Sequence, residues 1–232
     1  VKQLQASSKS GKVTLIGHSN GGLVIKAFVQ KLKDLNDPLY YQIDKVILVA
    51  SPQLGTPDAA VSLLHGSRVG MFPLGVSAER ARDLGKHMPG MYGLLPSERL
   101  FDDVSPLVTF DGVPDNWTDY YGQAINNTGE YEDYLLGKEG RQDAAYQETD
   151  RPAVLSEALW LGAKASHVRL DDWQPAPSTQ VIQVAGYGLY TPAGIQLKKN
   201  KKCSPLQVGT LVRCVGGSDT YVPTIKLALN GD

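Results

Sequence analysis

One serine in this 232-residue sequence stands in a setting that would make it a nucleophile. Ser19 occupies the centre of Gly17-His18-Ser19-Asn20-Gly21, a G-x-S-x-G pattern. A serine hydroxyl attacks poorly unless a base takes its proton and donors hold the oxyanion that develops. A sharp turn between strand and helix answers part of this need by lifting the side chain clear of the backbone. Such a turn requires small residues on both sides, here Gly17 and Gly21. The N-terminus of a following helix adds positive potential, and the backbone N–H of Asn20 is the expected oxyanion donor. The pattern by itself is common, and the plain alternative is a Gly-Ser turn that merely joins strand to helix. A phosphate-binding loop is disfavoured, because the Lys-Ser/Thr pair and the third glycine at dinucleotide spacing are both missing.

The flanking residues supply the elements that such a turn demands. Lys12 to Ile16 is a short apolar, β-branched run entered through Gly11, and reads as a buried strand. From Gly21 to Leu35, Val24, Ala27, Phe28, Leu32 and Leu35 recur at helical spacing, with Lys26, Gln30, Lys33 and Asp34 opposite. This amphipathic helix should end before Pro38. Ile43 to Ala50 reads as a second buried strand, stopped by Ser51-Pro52. Strand, helix and strand within so short a span make a βαβ unit with parallel strands and a right-handed crossover. From Gln53 to about Pro177 the chain is rich in Gly, Pro, Asp and Tyr, and only Ala153 to Ala165 reads as a helix. Gln180 to Ala185 resumes as a strand; Leu206 to Val215 and Tyr221 to Leu229 read as two more, paired as a hairpin. The expected division is a nucleophile-bearing core over 1–55, a cap or lid over 56–177, and core strands leading to an acid loop over 178–232.

Composition narrows the classes of partner. Hydrophobic residues make up 42% and charged residues 20%, an ordinary globular balance. A formal net charge of -1 gives no field for collecting nucleic acid or an anionic membrane. No apolar run approaches the roughly 18 residues needed to span a bilayer. Two cysteines, Cys203 and Cys214, are too few for a zinc site, and no metal or cofactor is expected. A disulfide between them would suit a secreted or cell-envelope protein, while two unrelated thiols remain the alternative. The sequence opens on Val1-Lys2 and stops at Asn230-Gly231-Asp232, so a fragment is expected.

Beyond the serine turn, four patches resemble one family. Thr14 to Val24 (TLIGHSNGGLV) resembles the nucleophile segment of lipases related to lecithin:cholesterol and phospholipid:diacylglycerol acyltransferases. Val49 to Pro57 (VASPQLGTP) resembles the segment after the next strand in those proteins, and Met88 to Ser97 (MPGMYGLLPS) resembles part of their cap. Gly231-Asp232 sits where that family carries its acid loop. The resemblance implies an α/β class: a partial three-layer α/β-hydrolase fold whose parallel sheet carries a large cap insertion. It implies a serine-dependent lipase or esterase acting through an acyl-enzyme on a lipid or other acyl ester, with transient contact to a lipid surface. The alternatives are O-acyl transfer of the lecithin:cholesterol acyltransferase type, and a non-catalytic binding module on the same fold.

The resemblance also implies the order Ser, Asp, His. Asp232 is then the acid, with Asp219 in Gly216-Gly217-Ser218-Asp219 as the competing choice, because it imitates the acid loop of simpler hydrolases. His18, His65, His87 and His167 all precede both aspartates. His18 reads as a packing residue and the other three as solvated or structural, so the base, the earlier strands and a second oxyanion donor are expected outside this sequence. Met71, Phe72, Met88, Met91, Tyr92, Leu94 and Leu95 would either line an acyl pocket or form the core of the cap.

Overall fold

A short helix α1 (Lys2–Ser7) leads into strand β1 (Val13–His18), which runs directly into helix α2 (Asn20–Asp34). These elements come from a computed structural model that describes residues 1–68, 75–138, 140–186, 188, 190–208 and 211–229, with backbone only for 115–116, 201–208, 211–219, 221 and 227–229. After α2, Asp37 caps a 3-10 turn (Pro38–Gln42) by accepting from Leu39 N–H, and strand β2 (Ile43–Val49) follows. β2 pairs in parallel with β1, from Thr14 opposite Lys45 to His18 opposite Val49. On its other side it pairs in parallel with β5 (Gln180–Val184), giving the order β1-β2-β5. Val29 and Leu32 of α2 close over Ile43, Val46 and Leu48 of β2, joined by Leu39, Tyr40, Trp173 and Ala176.

The buried face of α2 is rotated by about one residue from the face expected. Leu23, Lys26, Val29 and Leu32 are buried, whereas Val24 and Leu35 stand 61% and 62% exposed. The turn at Ser19 fixes the phase of the helix, because it sets Gly22 against the end of β2. Lys26 and Val29, four and seven residues on, then fall on the same inward line. Periodicity found the helix, but the turn decides which side of it goes in.

Between β2 and β5 the chain builds a second layer from short pieces: α3 (Pro57–His65), α4 (Ala78–Gly85), α5 (Pro89–Tyr92), α6 (Leu100–Asp103), β3 (Val108–Asp111), α7 (Asp115–Tyr121), β4 (Ala124–Ile125), α8 (Thr128–Leu135) and α9 (Glu157–Leu170). Thr56, Ser77, Asn127 and Ser156 cap α3, α4, α8 and α9 through side-chain oxygens. The expected helix at Ala153 to Ala165 is therefore displaced: Pro152 to Leu155 stay outside it, and the cap at Ser156 sets its start. Leu63, Tyr92, Leu95, Leu107, Tyr131 and Trp160 are among the fully buried residues that give this layer a core of its own. Arg141 is buried beneath it and donates to the carbonyls of Pro152, Ala153, Tyr134 and Leu135; Arg82 donates to those of Glu148, Arg151, Ala145 and Tyr146.

The C-terminal strands depart from the expected plan. β6 (Tyr190–Val208) and β7 (Leu211–Leu229) form one long antiparallel hairpin, so the chain reverses between 208 and 211, inside the stretch read as a single strand. β6 pairs in parallel with β3, in a sheet ordered β4-β3-β6-β7, and not with the β1-β2-β5 sheet. Ile195 and Leu197 of β6 are buried in the core of the second layer. The grouping of 178–232 as core strands is thus corrected: the hairpin takes its apolar partners from the 56–177 segment, and only β5 joins the core sheet. Cys203 faces Gly217 and Cys214 faces Pro205 across the hairpin. No helix among the described residues is long and apolar enough to cross a membrane.

Candidate active site

Ser19 follows the last residue of β1 and precedes the first of α2, with φ 53° and ψ -129°. A side chain with Cβ rarely adopts this conformation, at a cost of about 1–3 kcal/mol. Two hydrogen bonds hold it: Ser19 N–H donates to Val49 O at 2.9 Å, and Gly22 N–H donates to Ser19 O at 3.0 Å. A serine at a helix N-cap ordinarily turns its oxygen back to accept from the first helical N–H groups. Ser19 makes no such side-chain bond, and its side chain is exposed. The backbone geometry keeps the hydroxyl out of the helix cap. Asn20, half-buried, is the first residue of α2, where N–H groups have no partner within the helix.

The glycines around the turn are not equivalent. A Cβ on Gly17 would lie 2.7 Å from Gly21 C and O and 2.8 Å from Gly22 N, so the strand can bend into the helix only without one. A Cβ on Gly22 would lie 2.1 Å from Ser51 Oγ and 2.6 Å from Ser51 Cβ. At Gly21, the glycine named by the motif, a Cβ would meet nothing within 4 Å. Gly22 and Ser51 are the contact that the motif does not name; the signal was the second glycine of Asn20-Gly21-Gly22.

Two further contacts fix the surroundings. Ala50 follows β2 with φ 46°, and its N–H donates to Val184 O at 2.8 Å, so the end of β2 repeats the device at Ser19. Lys26, on the inward line of α2, reaches Gln53 Oε1 at 3.4 Å and lies 5.9 Å from the Trp173 ring centre. Burial holds its amine below the usual lysine range, with the charge of Asp171 acting in the other direction. Neither Lys26 nor Gln53 was singled out from the sequence, where Lys26 reads as a solvated residue.

The second layer reaches this end of the sheet. Thr56 N–H donates to Leu94 O and Ser97 N–H to Leu54 O, both at 2.9 Å, which ties the Leu94–Ser97 turn to the loop leaving β2. A Cβ on Gly90 would lie 3.9 Å from Asn20 Nδ2. The α5 turn therefore sits against the residue after Ser19.

The histidines divide by environment. His18 is exposed rather than packed: it follows Thr14 and Ile16 at the period of two along β1, and all three side chains are exposed. His87 is exposed as well. His167 is buried, with Nε2 3.0 Å from Leu95 O and Nδ1 3.1 Å from Asp171 Oδ1. His65 is buried, with Nδ1 3.1 Å from Thr149 O and Nε2 unpartnered. Burial, abetted by the nearby Arg141 and Arg82 charges, pushes its pKa down to about 4, against the Thr149 carbonyl and Asp150. Asp232 lies outside the described residues. Asp219 sits opposite Lys201 within the β6–β7 ladder, so its Gly-Gly-Ser-Asp approach is strand and not the loop that the competing assignment required. Of the sequence-derived site, the structure brings Ser19 and Asn20 together at one turn. Among the described residues, no group of His, Cys, Asp and Glu side chains could hold a metal ion.

No curated protein matches the chain. Among solved structures, "The crystal structure of Tle4-Tli4 complex" is similar with a TM-score of 0.47 and 15% identity, over 86% of this chain and 41% of that one. This chain thus spans less than half the length of that neighbour. The sequence profile of the lecithin:cholesterol acyltransferase family matches residues 2–213, which takes in the serine turn, the second layer and most of the C-terminal hairpin. With a β-turn-α serine, a parallel sheet and a family match over nearly its whole length, the chain belongs to the lecithin:cholesterol acyltransferase family.

Proposed function

We propose that this chain carries the nucleophile of a serine-dependent lipid-ester hydrolase that works through an acyl-enzyme. One observation carries the reading: Ser19 is held in a strained turn with its hydroxyl exposed and not used as a helix cap. Ser19 Oγ attacks the ester carbonyl carbon, and a histidine from outside this sequence takes the hydroxyl proton. The oxyanion forms beside Asn20 N–H at the positive end of α2. Collapse of the tetrahedral intermediate breaks the bond to the leaving alcohol, which departs with the proton held by histidine. Water then repeats the sequence and releases the acid. Asp232 orients the histidine and stabilises its cation.

The family's name supports a second reading for the last step, in which an alcohol replaces water and the product is a new ester. The first half-reaction is the same. The test is labelling of the full-length protein by a fluorophosphonate probe: Ser19→Ala should abolish it, and labelling that persists in this variant would refute the assignment. Asp232→Asn should lower turnover by about four orders of magnitude, as loss of the acid does in the template triad, while Asp219→Asn leaves turnover within a small factor. The reverse pattern would move the acid to Asp219.

A further inference from the structure

We propose that the outer part of the β6–β7 hairpin is an arm that docks on an anionic lipid surface, through an apolar tip and a basic shaft. β6 pairs with β3 only from Ile195 to Lys198. Beyond that point, among the described residues, β6 and β7 pair with each other alone, from Lys199 opposite Tyr221 to Val208 opposite Leu211. At about 3.3 Å per residue, the stretch from Lys199 to Val208 makes a ribbon about 30 Å long. Its base is anchored, since Ile195 and Leu197 are buried in the core of the second layer, whereas Lys198, Lys199 and Asn200 are exposed. A two-stranded ribbon is marginally stable in water without a layer against it.

Charge is distributed unevenly along the chain. The two strands of the hairpin hold six basic residues, Lys198, Lys199, Lys201, Lys202, Arg213 and Lys226, and one acid, Asp219. The formal charge of -1 for the whole chain therefore conceals a hairpin of +5 on a remainder of -6. The end of the ribbon has another character. From Cys203 to Gly217 the one charged residue is Arg213, and Leu206, Val208, Leu211, Val212 and Val215 surround the reversal. This order selects the occupant. An acidic protein segment would suit the lysines but offers nothing to the apolar end. A lipid surface receives both, apolar side chains below the headgroups and cations among them. Lys202 and Lys198 lie about 13 and 26 Å along the strand from Leu206, so the ribbon meets the surface obliquely and not upright. Each Lys or Arg brought near an anionic leaflet strengthens binding about fivefold. The inference does not depend on Ser19 being the nucleophile.

The experiment is co-sedimentation of the full-length protein, carrying Ser19→Ala to leave the lipid intact, with two kinds of vesicle. One is phosphatidylcholine alone, the other phosphatidylcholine and phosphatidylserine in equal parts. Binding to the anionic vesicles should be about a hundredfold tighter or more. It should weaken about tenfold or more as salt rises from about 0.1 to about 1 M, because the screening length shrinks from about 10 to about 3 Å. Lys198→Gln/Lys201→Gln/Lys202→Gln should weaken it about a hundredfold, and arginine at the same three positions should keep it within about threefold. Lys199 is left in place because it lies against Gly112. Leu206→Asp/Leu211→Asp should weaken binding to both kinds of vesicle about tenfold or more. Equal binding to the two vesicles, or binding that survives either set of substitutions, would overturn the proposal. Binding to soluble polyglutamate as tight as that to the anionic vesicles would make the occupant an acidic protein and overturn it as well. If fluorophosphonate labelling persists in Ser19→Ala, the nucleophile assignment fails and these vesicle outcomes still decide the arm.

Discussion

Gly21 and Gly22 are adjacent in sequence and in the first turn of α2, yet alanine at the two positions should act in opposite directions. In a helix interior, alanine is favoured over glycine by about 0.5–1 kcal/mol. At Gly21 a Cβ meets nothing within 4 Å, so Gly21→Ala should raise stability by up to about that amount. At Gly22 the same Cβ comes within 2.6 Å of Ser51 Cβ and 2.1 Å of Ser51 Oγ. Rotating the serine removes the second clash but not the first, because Ser51 Cβ is fixed by the backbone. Overpacking of this kind costs about 1–3 kcal/mol. The helix-propensity gain offsets part of it, so Gly22→Ala should lose about 1–2 kcal/mol, and the two variants should differ by about 2–3 kcal/mol. For a chain of this size that is a separation of roughly 4–12 °C in Tm. Urea unfolding followed by tryptophan fluorescence and circular dichroism measures it. Ser51→Gly removes both opposing atoms, so the double variant Gly22→Ala/Ser51→Gly should recover about 1 kcal/mol or more beyond additivity. Ser51→Ala, which leaves the Cβ in place, should recover less. Equal effects of Gly21→Ala and Gly22→Ala, or additivity with Ser51→Gly, would refute the claim that this contact sets the turn.

Three further outcomes are expected. Ser19→Gly should be more stable than Ser19→Ala by about 1 kcal/mol or more, because only glycine adopts φ 53° without strain; the same unfolding assay decides it, and parity would mean that the turn is relaxed. Stability should fall as pH drops from 6.5 towards 4, by about 3 kcal/mol from His65, and then level off. The unfolded histidine takes up its proton near 6.5 and the buried one only near 4, so the unfolded state binds more protons across that window. His65→Gln should flatten this part of the profile, and an unchanged slope would reject the assignment. Arg141→Met should cost about 3 kcal/mol or more, since the guanidinium bonds four carbonyl oxygens in a site that water does not reach; a loss under about 1 kcal/mol would show that the loop satisfies those carbonyls itself.

Much of the core was legible because its signals are local. β1, α2, β2 and β5 lie within a few residues of where apolar period and punctuation put them, and the serine turn falls between the first two. The second layer was not legible, for a physical reason. Its helices run from four to fourteen residues, too short in most cases for a period to stand out, and caps such as Thr56-Pro57 mark a start without saying what the helix packs on. The parallel pairing of Val108–Asp111 with residues 195–198 joins segments more than eighty residues apart, which no window along the sequence sees. Burial of Lys26, Arg82 and Arg141 was equally hidden. Each reads as a surface cation, and only the tertiary fold brings the carbonyl and amide oxygens that make burial tolerable. The turn at Ser19 was readable from the motif, whereas Gly22 and Ser51 meet only once β2 lies beside it.

The backbone bonds at the strand ends make the serine turn a rigid object presented at a wet surface. Ser19 N–H is bonded to Val49 O, and one step further across the sheet Ala50 N–H is bonded to Val184 O. Each amide is held by the last carbonyl of the neighbouring strand, so Ser19 cannot relax its dihedrals while β2 stays in register, nor Ala50 while β5 does. Although the Ser19 side chain faces solvent, its amide hydrogen should exchange only through the openings that part β1 from β2, with protection close to that of the β2 amides rather than that of a loop. A group poised for reaction would then share the slow clock of the sheet behind it, and its strain could be released only by a fluctuation large enough to separate the strands.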